Sequence, residues 1–449
     1  MLISFSNSLS IILLCGCGIL EKFIVEQSPP LKGRVKIGGS KNAVLPIMAA
    51  SLLTEGGCTI KDVPPLKDVY TMKDILTDLG AVVIWNEKEG SVHIQAQSIA
   101  KKEASYELVS KIRASFLIMG PMLARWGEAK VPLPGGCLIG ARPVDLHLKG
   151  FSALGAEIEI AHGMVTAKSK GLKGNKIYLD FPSVGATENI MMAAVLAEGQ
   201  TVIENAATEP EIVDLSNFLN NLGAQIRGAG TDTVKITGVD KLKSTEYTVI
   251  PDRIEAGTFM TCVAACGGDI ELENILAEHL KPMIAKLKEA AIEITEMQNG
   301  IRIIADPTRP IKGIDIKTMP YPGFPTDMQA QFMAILTGCQ GSAVITETVF
   351  ENRFMHVPEL LRMGADIKIE SRTAFVEGVK NLTGANVKAT DLRAGAALVT
   401  AALKAQGVTE ISNIYHIDRG YCGFDEKLRS LGAKITRLVM EDIKEEQNE

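Results

Sequence analysis

Cys137 is the residue of this chain whose setting is best suited to chemistry. It lies in the run Pro134-Gly135-Gly136-Cys137-Leu138-Ile139-Gly140-Ala141-Arg142. The glycines on both sides interrupt helical and strand periodicity, which predicts a loop that solvent can reach. A nearby cation lowers the pKa of a thiol and makes it chemically useful. Arg142, in the same loop, and Lys41 are the candidates to meet at an anion there.

Several predicted helices begin with polar or glycine-rich residues. The runs are Gly38-Gly39-Ser40-Lys41-Asn42, Ser183-Val184-Gly185-Ala186-Thr187, Pro325-Thr326-Asp327-Met328-Gln329 and Thr390-Asp391-Leu392-Arg393-Ala394. Helix N-termini present free N–H groups and the positive end of the helix dipole, which suits phosphates and carboxylates. Ordinary N-capping explains the Ser, Thr and Asp residues. It does not explain Lys41, because a cation is disfavoured in a first turn.

Two further arginines and one aspartate lie in turns. Arg113 opens a helix, and Arg419 precedes a glycine in a turn after a strand. A single arginine is more often a solvated surface residue. An arginine in a glycine-flanked turn that is matched by similar turns in other repeats is a better candidate for a functional residue. Asp327 is either a helix cap or a general base with a substrate hydroxyl in reach, and the sequence leaves that choice open.

Composition excludes several classes of partner and site. The chain has 449 residues and a formal net charge of −6, which argues against nucleic acid and leaves room for a small anionic substrate. Eight cysteines show no disulfide framework, so we expect a reducing, cytoplasmic location. Six scattered histidines give no metal-site spacing, and no dinucleotide or P-loop glycine motif is present.

Both ends of the chain differ in composition from the rest. Residues 11–20 are apolar but too few to span a bilayer, and no Lys or Arg precedes them as in a signal peptide. We therefore expect residues 1–20 to be a disordered upstream extension or a misassigned start, without stable membrane insertion. Residues 442–449 form a charged C-terminal tail.

The chain repeats one unit. An apolar-Gly-Ala phrase ends a predicted helix at Leu79, Leu154, Leu222, Met363 and Leu431, with a degraded copy at Glu289. These phrases recur at intervals of 67 to 75 residues, too long for a solenoid repeat but suitable for a small α/β unit. Six such units predict an α/β protein of two domains, each made of three units. Small ligands bind in clefts between domains.

These motifs resemble those of the UDP-N-acetylglucosamine enolpyruvyl transferases. The resemblance extends from about Glu21 to about Thr436 and is carried by seven segments. They are 38–46, 133–147, 251–255, 324–331, 346–356, 389–394 and 415–421. Departures are small: Ser40 stands where Ala is more usual, and Cys422-Gly423 follows Tyr421 where other residues are common.

The resemblance implies a fold of two inside-out α/β barrels, each of three repeated units. Residues 42–250 would form the domain that carries the Cys137 loop. Residues 21–41 would join residues 251–441 in the second domain. The six repeats found in the sequence agree with this organisation.

The resemblance also implies the reaction and its partners. The enolpyruvyl group of phosphoenolpyruvate would move to the 3-hydroxyl of UDP-N-acetylglucosamine, with release of phosphate, in the first committed step of peptidoglycan synthesis. The chemistry is addition followed by elimination, and it implies no metal and no organic cofactor. The expected oligomeric state is a monomer, and the epoxide fosfomycin is expected to alkylate Cys137.

Roles for individual residues follow from the same resemblance. Cys137 would protonate the enol carbon, and Asp327 would take the proton of the sugar hydroxyl. Lys41, Arg142 and Arg419 would hold phosphate and carboxylate, and Arg113 and Arg393 would extend this cationic lining. The implied substrate-binding residues are Lys41, Asn42, Arg113, Arg142, Pro143, Val144, Asp145, Leu146, Ser183, Val184, Gly185, Asp327, Val349, Arg393 and Arg419.

Two alternatives remain at this point. One is the shikimate-pathway enolpyruvyl transferase, which has the same fold and reaction but which Cys137 and the phrase from Arg142 to His147 disfavour. The other is a catalytically idle paralogue that binds a UDP-sugar, which the presence of every implied catalytic residue disfavours.

Overall fold

The computed structural model describes residues 20–134 and 144–440. Cys137, Arg142 and Pro143 lie outside the described residues, as does the tail 442–449. The first described strand begins at Leu20, whose partner in the sheet is Met440. The predicted boundary of the N-terminal extension was therefore one residue too late, because Leu20 already takes part in strand pairing.

The secondary structure alternates helices and strands along the chain. The helices are α1 (Lys41–Ala50), α2 (Lys67–Leu79), α3 (Tyr106–Val109), α4 (Met119–Trp126), α5 (Asp145–Ala153), α6 (Val184–Ala194), α7 (Pro210–Asn221), α8 (Arg253–Cys266), α9 (Lys281–Glu289), α10 (Gln329–Leu336), α11 (Val357–Arg362), α12 (Leu392–Lys404) and α13 (Phe424–Ser430). Short 3₁₀ turns cover Ser51–Leu53, Arg113–Ile118, Ala277–Leu280, Thr326–Met328 and Ile414–Arg419.

The strands are mostly short. They are β1 (Leu20–Glu26), β2 (Leu31–Lys36), β3 (Cys58–Lys61), β4 (Val82–Asn86), β5 (Ser91–Gln95), β6 (Glu128–Pro132), β7 (Glu157–Ala161), β8 (Met164–Lys168), β9 (Lys176–Tyr178), β10 (Gln200–Glu204), β11 (Gln225–Arg227), β12 (Thr233–Thr237), β13 (Thr245–Thr248), β14 (Gly268–Glu273), β15 (Glu293–Met297), β16 (Gly300–Ala305), β17 (Ile316–Lys317), β18 (Ser342–Thr346), β19 (Asp366–Glu370), β20 (Thr373–Glu377), β21 (Asn386–Lys388), β22 (Val408–Ser412) and β23 (Ile435–Met440).

The described strands form six small sheets, one for each predicted repeat. Their orders are β13-β3-β5-β4, β6-β8-β7, β11-β12-β10-β9, β15-β16-β14-β2, β17-β18-β20-β19 and β21-β22-β1-β23. Within the third unit, α6 leads into β10, α7 follows, and the hairpin β11–β12 pairs back onto β10. The predicted α/β fold of six repeated units is confirmed.

Each half of the chain closes its three units into a ring. In the first half, β13 comes after the third unit and pairs in parallel with β3 of the first unit. In the second half, β1 lies between β22 and β23, and β2 pairs in parallel with β14. The N-terminal strands therefore complete sheets made mainly by the C-terminal half.

Three helices of the second half form a buried bundle. Helices α8, α10 and α12 pack against one another and are buried on nearly every side. Buried apolar residues form two clusters, one drawn from residues 43–249 and the other from residues 23–37 and 254–435. Such an all-round apolar pattern is typical of a helix in the centre of a fold rather than on its surface.

Glycine ends the second helix of the third unit. Gly223 follows α7 with a φ of +100°, a left-handed conformation that stops a helix at little cost for glycine. The degraded phrase of the fourth unit keeps this turn, since Ala291 has a φ of +70° after α9. Backbone geometry thus explains why the repeated phrase contains glycine.

Two of the polar runs noted in the sequence do lie at helix starts. Helix α1 begins at Lys41 and continues after Ala50 as a 3₁₀ turn. Helix α6 begins at Val184, and Ser183 caps it by accepting the N–H of Ala186 at 3.3 Å.

The chain passes between the two clusters twice, and the two passages touch. Gly39 and Pro251 form an isolated antiparallel bridge. The N–H of Ser40 donates to the carbonyl oxygen of Ile250 at 2.7 Å, and the N–H of Asp252 donates to that of Gly38 at 2.9 Å. These bonds fix where α1 and α8 begin relative to each other.

Replacing Gly39 by alanine tests the tightness of this crossing. An added Cβ would overlap the backbone carbonyl oxygen of Asp62, so we expect Gly39→Ala to cost about 1–3 kcal/mol of stability, as for an overpacked site. The matched control is Gly38→Ala, whose Cβ would meet only Glu255 Oε2 at 3.5 Å. Thermal unfolding should show a clear loss for Gly39→Ala only, and equal midpoints for the two variants would contradict this account.

Candidate active site

One carboxylate, Asp68, holds two cations at the place where the two halves of the chain meet. Lys41 Nζ lies 2.6 Å from Asp68 Oδ2. Arg419 donates from Nε to Asp68 Oδ1 at 2.8 Å and from Nη2 to Oδ2 at 3.4 Å. Asp68 lies in the first turn of α2, Lys41 opens α1, and Arg419 ends a 3₁₀ turn 351 residues away from Asp68.

Lys41 stands at a helix N-terminus, where a positive charge is disfavoured. Its side chain is buried, 8% exposed, and that of Asp68 is 6% exposed. The backbone N–H of Lys41 donates to Asp252 Oδ2 at 3.1 Å, and Asp252 also caps α8. Asp68 and Asp252 therefore offset the cost of placing this lysine there.

Burial and charge act in opposite directions on the pKa values of this group. Burial alone would raise the pKa of Asp68, but Lys41 and Arg419 outweigh it and lower the pKa below its ordinary value. Burial lowers the pKa of Lys41, Asp68 opposes that shift, and Arg393 and Arg419 add to it. The effect of Arg393 shows that a third cation lies near.

A second carboxylate, Asp327, lies between two buried arginines. Arg353 Nη2 donates to Asp327 Oδ1 at 2.9 Å, and Arg393 Nη2 donates to Oδ2 at 3.0 Å. Both arginine side chains are 3% exposed, whereas that of Asp327 is 28% exposed. The 3₁₀ turn Thr326–Met328 presents this carboxylate at the start of α10. Asp327 is thus a fixed and partly exposed hydrogen-bond acceptor.

The turn that carries Val349 is tied to the same place. Glu347 Oε1 accepts the N–H groups of Val349 at 2.8 Å and Phe350 at 3.1 Å. Glu347 Oε2 accepts from Thr326 Oγ1 at 2.9 Å. Glu347 therefore fixes Val349 beside the turn that holds Asp327.

The other predicted residues of the first half gather around His147. Asn189 Nδ2 lies 3.0 Å from His147 Nδ1 and donates to the carbonyl oxygen of Phe116 at 2.9 Å. An added Cβ at Gly185 would lie 3.3 Å from the ring of His147. Burial, with Arg113 nearby, lowers the pKa of His147 to about 3, so its ring is neutral at ordinary pH. His147 therefore packs the start of α5 against the start of α6.

The described substrate-binding residues predicted for the first half lie on four adjoining elements. Val144, Asp145 and Leu146 lie at the start of α5, while Ser183, Val184 and Gly185 lie at the start of α6. Arg113 begins a 3₁₀ turn that packs against both α6 and α1. Asn42 is half-buried in the first turn of α1.

Three residues of this site had not been predicted from the sequence. Asp68, Arg353 and Glu347 each hold a predicted residue in place. Arg353 and Glu347 belong to segment 346–356, which carried the family resemblance, so the sequence did point to them. Asp68 resembles an ordinary first-turn acid, and only the docking of the two halves shows its role.

No group of three or more His, Cys, Asp or Glu side chains among residues 20–134 and 144–440 is placed to hold a metal ion. Within the same ranges, no helix is long and apolar enough to cross a membrane. The chemistry that the described site can perform is that of cations and carboxylates: Lys41, Arg393 and Arg419 can bind a multiply charged anion, and Asp327 can accept a proton.

Comparison with known proteins gives this arrangement a family. A model of the EPSP synthase (3-phosphoshikimate 1-carboxyvinyltransferase) family matches residues 25–428. The enolpyruvyl transferase NikO from Streptomyces tendae shares the fold with a TM-score of 0.85 at 22% identity, over 94% of this chain and 100% of that chain. An EPSP synthase from Acinetobacter baumannii gives a TM-score of 0.75 at 20% identity, over 93% of this chain and 100% of that one. The fold is that of the enolpyruvyl transferases.

Curated relatives are much more similar in sequence. UDP-N-acetylglucosamine 1-carboxyvinyltransferase 2 of Carboxydothermus hydrogenoformans is 61% identical, over 93% of this chain and 100% of its own length. UDP-N-acetylglucosamine 1-carboxyvinyltransferase 1 of Caldanaerobacter subterraneus is also 61% identical, over 93% of this chain and 99% of its own length. This chain belongs to the UDP-N-acetylglucosamine 1-carboxyvinyltransferase family.

Replacing Asp68 by asparagine tests the bridge between the halves. We expect Asp68→Asn to cost about 3–5 kcal/mol of stability, because breaking a buried pair leaves Lys41 uncompensated. The native pKa of Asp68 lies below its ordinary value of 3.8. Its contribution is therefore present above that pH and is lost as the pH falls through the native pKa. Unfolding measured from pH 7 to pH 3 should show the gap between wild type and variant narrowing in acid.

The matched control is Asp78→Asn in the same helix. Asp78 pairs with Lys101 at the surface, where an ion pair contributes at most about 1 kcal/mol. Equal losses in the two variants, or a gap for Asp68→Asn that does not change with pH, would contradict the bridging role.

Proposed function

We propose that this chain transfers the enolpyruvyl group of phosphoenolpyruvate to the 3-hydroxyl of UDP-N-acetylglucosamine and releases phosphate. The observation that carries the proposal is the convergence of Lys41, Arg393 and Arg419 beside a partly exposed Asp327. Relatives of 61% identity that are named for this activity support the same assignment.

The negative charges of phosphoenolpyruvate are complementary to the cations of this site. It carries a phosphate and a carboxylate on a small carbon frame, and it needs several donors from different directions. Lys41 and Arg419 would bind these groups, with Arg393 and Arg142 completing the cationic lining. Asp68, which pairs with Lys41 and Arg419, would then share them with the incoming anion. Charge-assisted hydrogen bonds of this kind are the strong ones.

Asp327 would act as the general base. Arg353 and Arg393 stabilise the ionised form of its carboxylate, and its partly exposed carboxylate would receive the 3-hydroxyl of the sugar. The hydroxyl oxygen attacks C2 of phosphoenolpyruvate as its proton passes to Asp327. Cys137 would give its proton to C3, which completes the addition and yields a tetrahedral intermediate that still carries phosphate. The Cys137 thiolate would then take a proton back from C3 as phosphate departs with the proton from Asp327, which restores the double bond and both side chains.

The sugar nucleotide would lie along the first half. Ser183, Val184 and Gly185 open α6, whose free N–H groups suit a diphosphate. The remaining contacts would come from Asn42, Arg113, Arg142, Pro143, Val144, Asp145, Leu146 and Val349. Val349 belongs to the other half, so the nucleotide would touch both sides of the site.

Further parts of the proposal concern organisation and location. We infer that residues 42–250 and residues 21–41 with 251–441 are two domains that close on the substrates and exclude water. The two apolar clusters support this division. A cytoplasmic, monomeric enzyme that does not bind nucleic acid completes the proposal. The described cysteines are free, which fits a reducing compartment.

Phosphate release distinguishes this function from its alternatives. We expect release from phosphoenolpyruvate with UDP-N-acetylglucosamine, and none with shikimate 3-phosphate. The reverse result would show a shikimate-pathway enzyme, and no release with either acceptor would favour a UDP-sugar-binding paralogue without activity.

Cys137→Ala should lower phosphate release by about 10²-fold or more, the usual loss of a general acid. With the sugar nucleotide present, fosfomycin should alkylate the thiol of Cys137 in the wild type and no other thiol. The control is Cys266→Ala, since burial raises the pKa of Cys266 and makes it a poor nucleophile. Full activity of Cys137→Ala, or an unmodified Cys137 after excess drug, would refute the role of this thiol.

A further inference from the structure

Tyr421 has a buried hydroxyl group that the proposed reaction does not use. Its side chain is 2% exposed, and its Oη contacts three polar groups. Arg393 Nη1 lies 3.2 Å away, Gln331 Nε2 lies 3.3 Å away and Thr258 Oγ1 lies 2.9 Å away. A phenylalanine would fill the same space, so the hydroxyl requires an explanation of its own.

Hydrogen-bond chemistry fixes the direction of this network. Arg393 can only donate, and the amide nitrogen of Gln331 donates as well, so Tyr421 Oη accepts from both. The single proton of Tyr421 must then go to Thr258 Oγ1. Thr258 passes its own proton to the carbonyl oxygen of Ile254 at 2.8 Å. The chain of donors runs from Arg393 through Tyr421 and Thr258 into the backbone of α8.

The other end of this chain reaches the proposed base. Arg393 uses Nη2 for Asp327 and Nη1 for Tyr421, and its guanidinium carbon lies 5.5 Å from the centre of the Tyr421 ring. Its buried Nε has no hydrogen-bond partner among the described residues. The orientation of the guanidinium about its own axis therefore depends on Tyr421 at one edge and Asp327 at the other.

We infer that Tyr421 is a positioning residue for the enolpyruvyl transfer, which turns the guanidinium of Arg393 so that one N–H, and not two, faces Asp327. The inference rests on the proposed function. Each N–H that Arg393 gives to this carboxylate lowers its basicity, so a single N–H leaves Asp327 the stronger base. A guanidinium released from Tyr421 would turn its second N–H to the same carboxylate and weaken it as a base.

The test is Tyr421→Phe, which removes one oxygen atom and leaves the ring. We expect kcat to fall about tenfold, as for a lost hydrogen bond to a charged group, with both KM values within about twofold. The acid limb of the kcat profile should move to lower pH by about half a unit. A kcat within twofold of wild type, or an acid limb that stays in place, overturns the inference.

Two further variants keep the test decisive. Tyr247→Phe removes a half-buried phenol hydroxyl that bonds to Asp214 in the first half, so it should lower stability and leave kcat and the pH profile unchanged. A kcat loss in Tyr247→Phe equal to that of Tyr421→Phe would mark the effect as general destabilisation and overturn the inference.

If Tyr421→Phe does not fold, Thr258→Val is the second test, because it removes the acceptor of the Tyr421 proton. It should move the acid limb in the same direction by a smaller amount, and an unmoved limb overturns the inference.

Wild-type activity separates this inference from the proposed function. Phosphate release by the wild type with unchanged kinetics in Tyr421→Phe would overturn only the role of Tyr421. Absence of phosphate release by the wild type would overturn the proposed function itself.

Discussion

The site depends on the pairing of one buried carboxylate with two cations from different parts of the chain. Asp68 pairs with both Lys41 and Arg419 and compensates one of their two positive charges. Without it, two uncompensated positive charges would face each other across the junction of the halves. Buried charges of like sign are costly unless an anion lies between them. The same arrangement attracts an anionic substrate, because Lys41 is already buried and both cations are held in place. Stability without substrate and affinity for substrate thus come from the same side chains.

The repeated fold supplies the geometry for this pairing. In each half some helices, such as α1, α10 and α12, are buried along nearly their whole length, and the polar groups of the site lie at or just before the starts of these helices. The two chain crossings hydrogen-bond to each other at Gly38 and Asp252. That contact fixes α1 against α8, and it therefore fixes Lys41 close to Arg419 and Arg393.

Much of this could be predicted from the sequence, for identifiable reasons. The apolar-Gly-Ala phrase reports a local event, the end of a helix, and so it revealed six units. Lys41 was noticeable because a first-turn lysine contradicts local electrostatics. Asp68 could not be found in that way, since its partner Arg419 lies 351 residues away and the contact exists only after both rings have formed. For the same reason the donor chain through Tyr421 is invisible in the sequence.

The central claim is that the cations held by Asp68 are those that bind the reacting anion. A crystal structure of the Cys137→Ala variant with phosphoenolpyruvate and UDP-N-acetylglucosamine bound tests it most directly. We predict that Lys41 Nζ and the Arg419 guanidinium lie about 2.7–2.9 Å from oxygens of phosphoenolpyruvate, with the sugar hydroxyl on Asp327. Phosphoenolpyruvate bound elsewhere, while Lys41 and Arg419 contact only Asp68, would contradict the account.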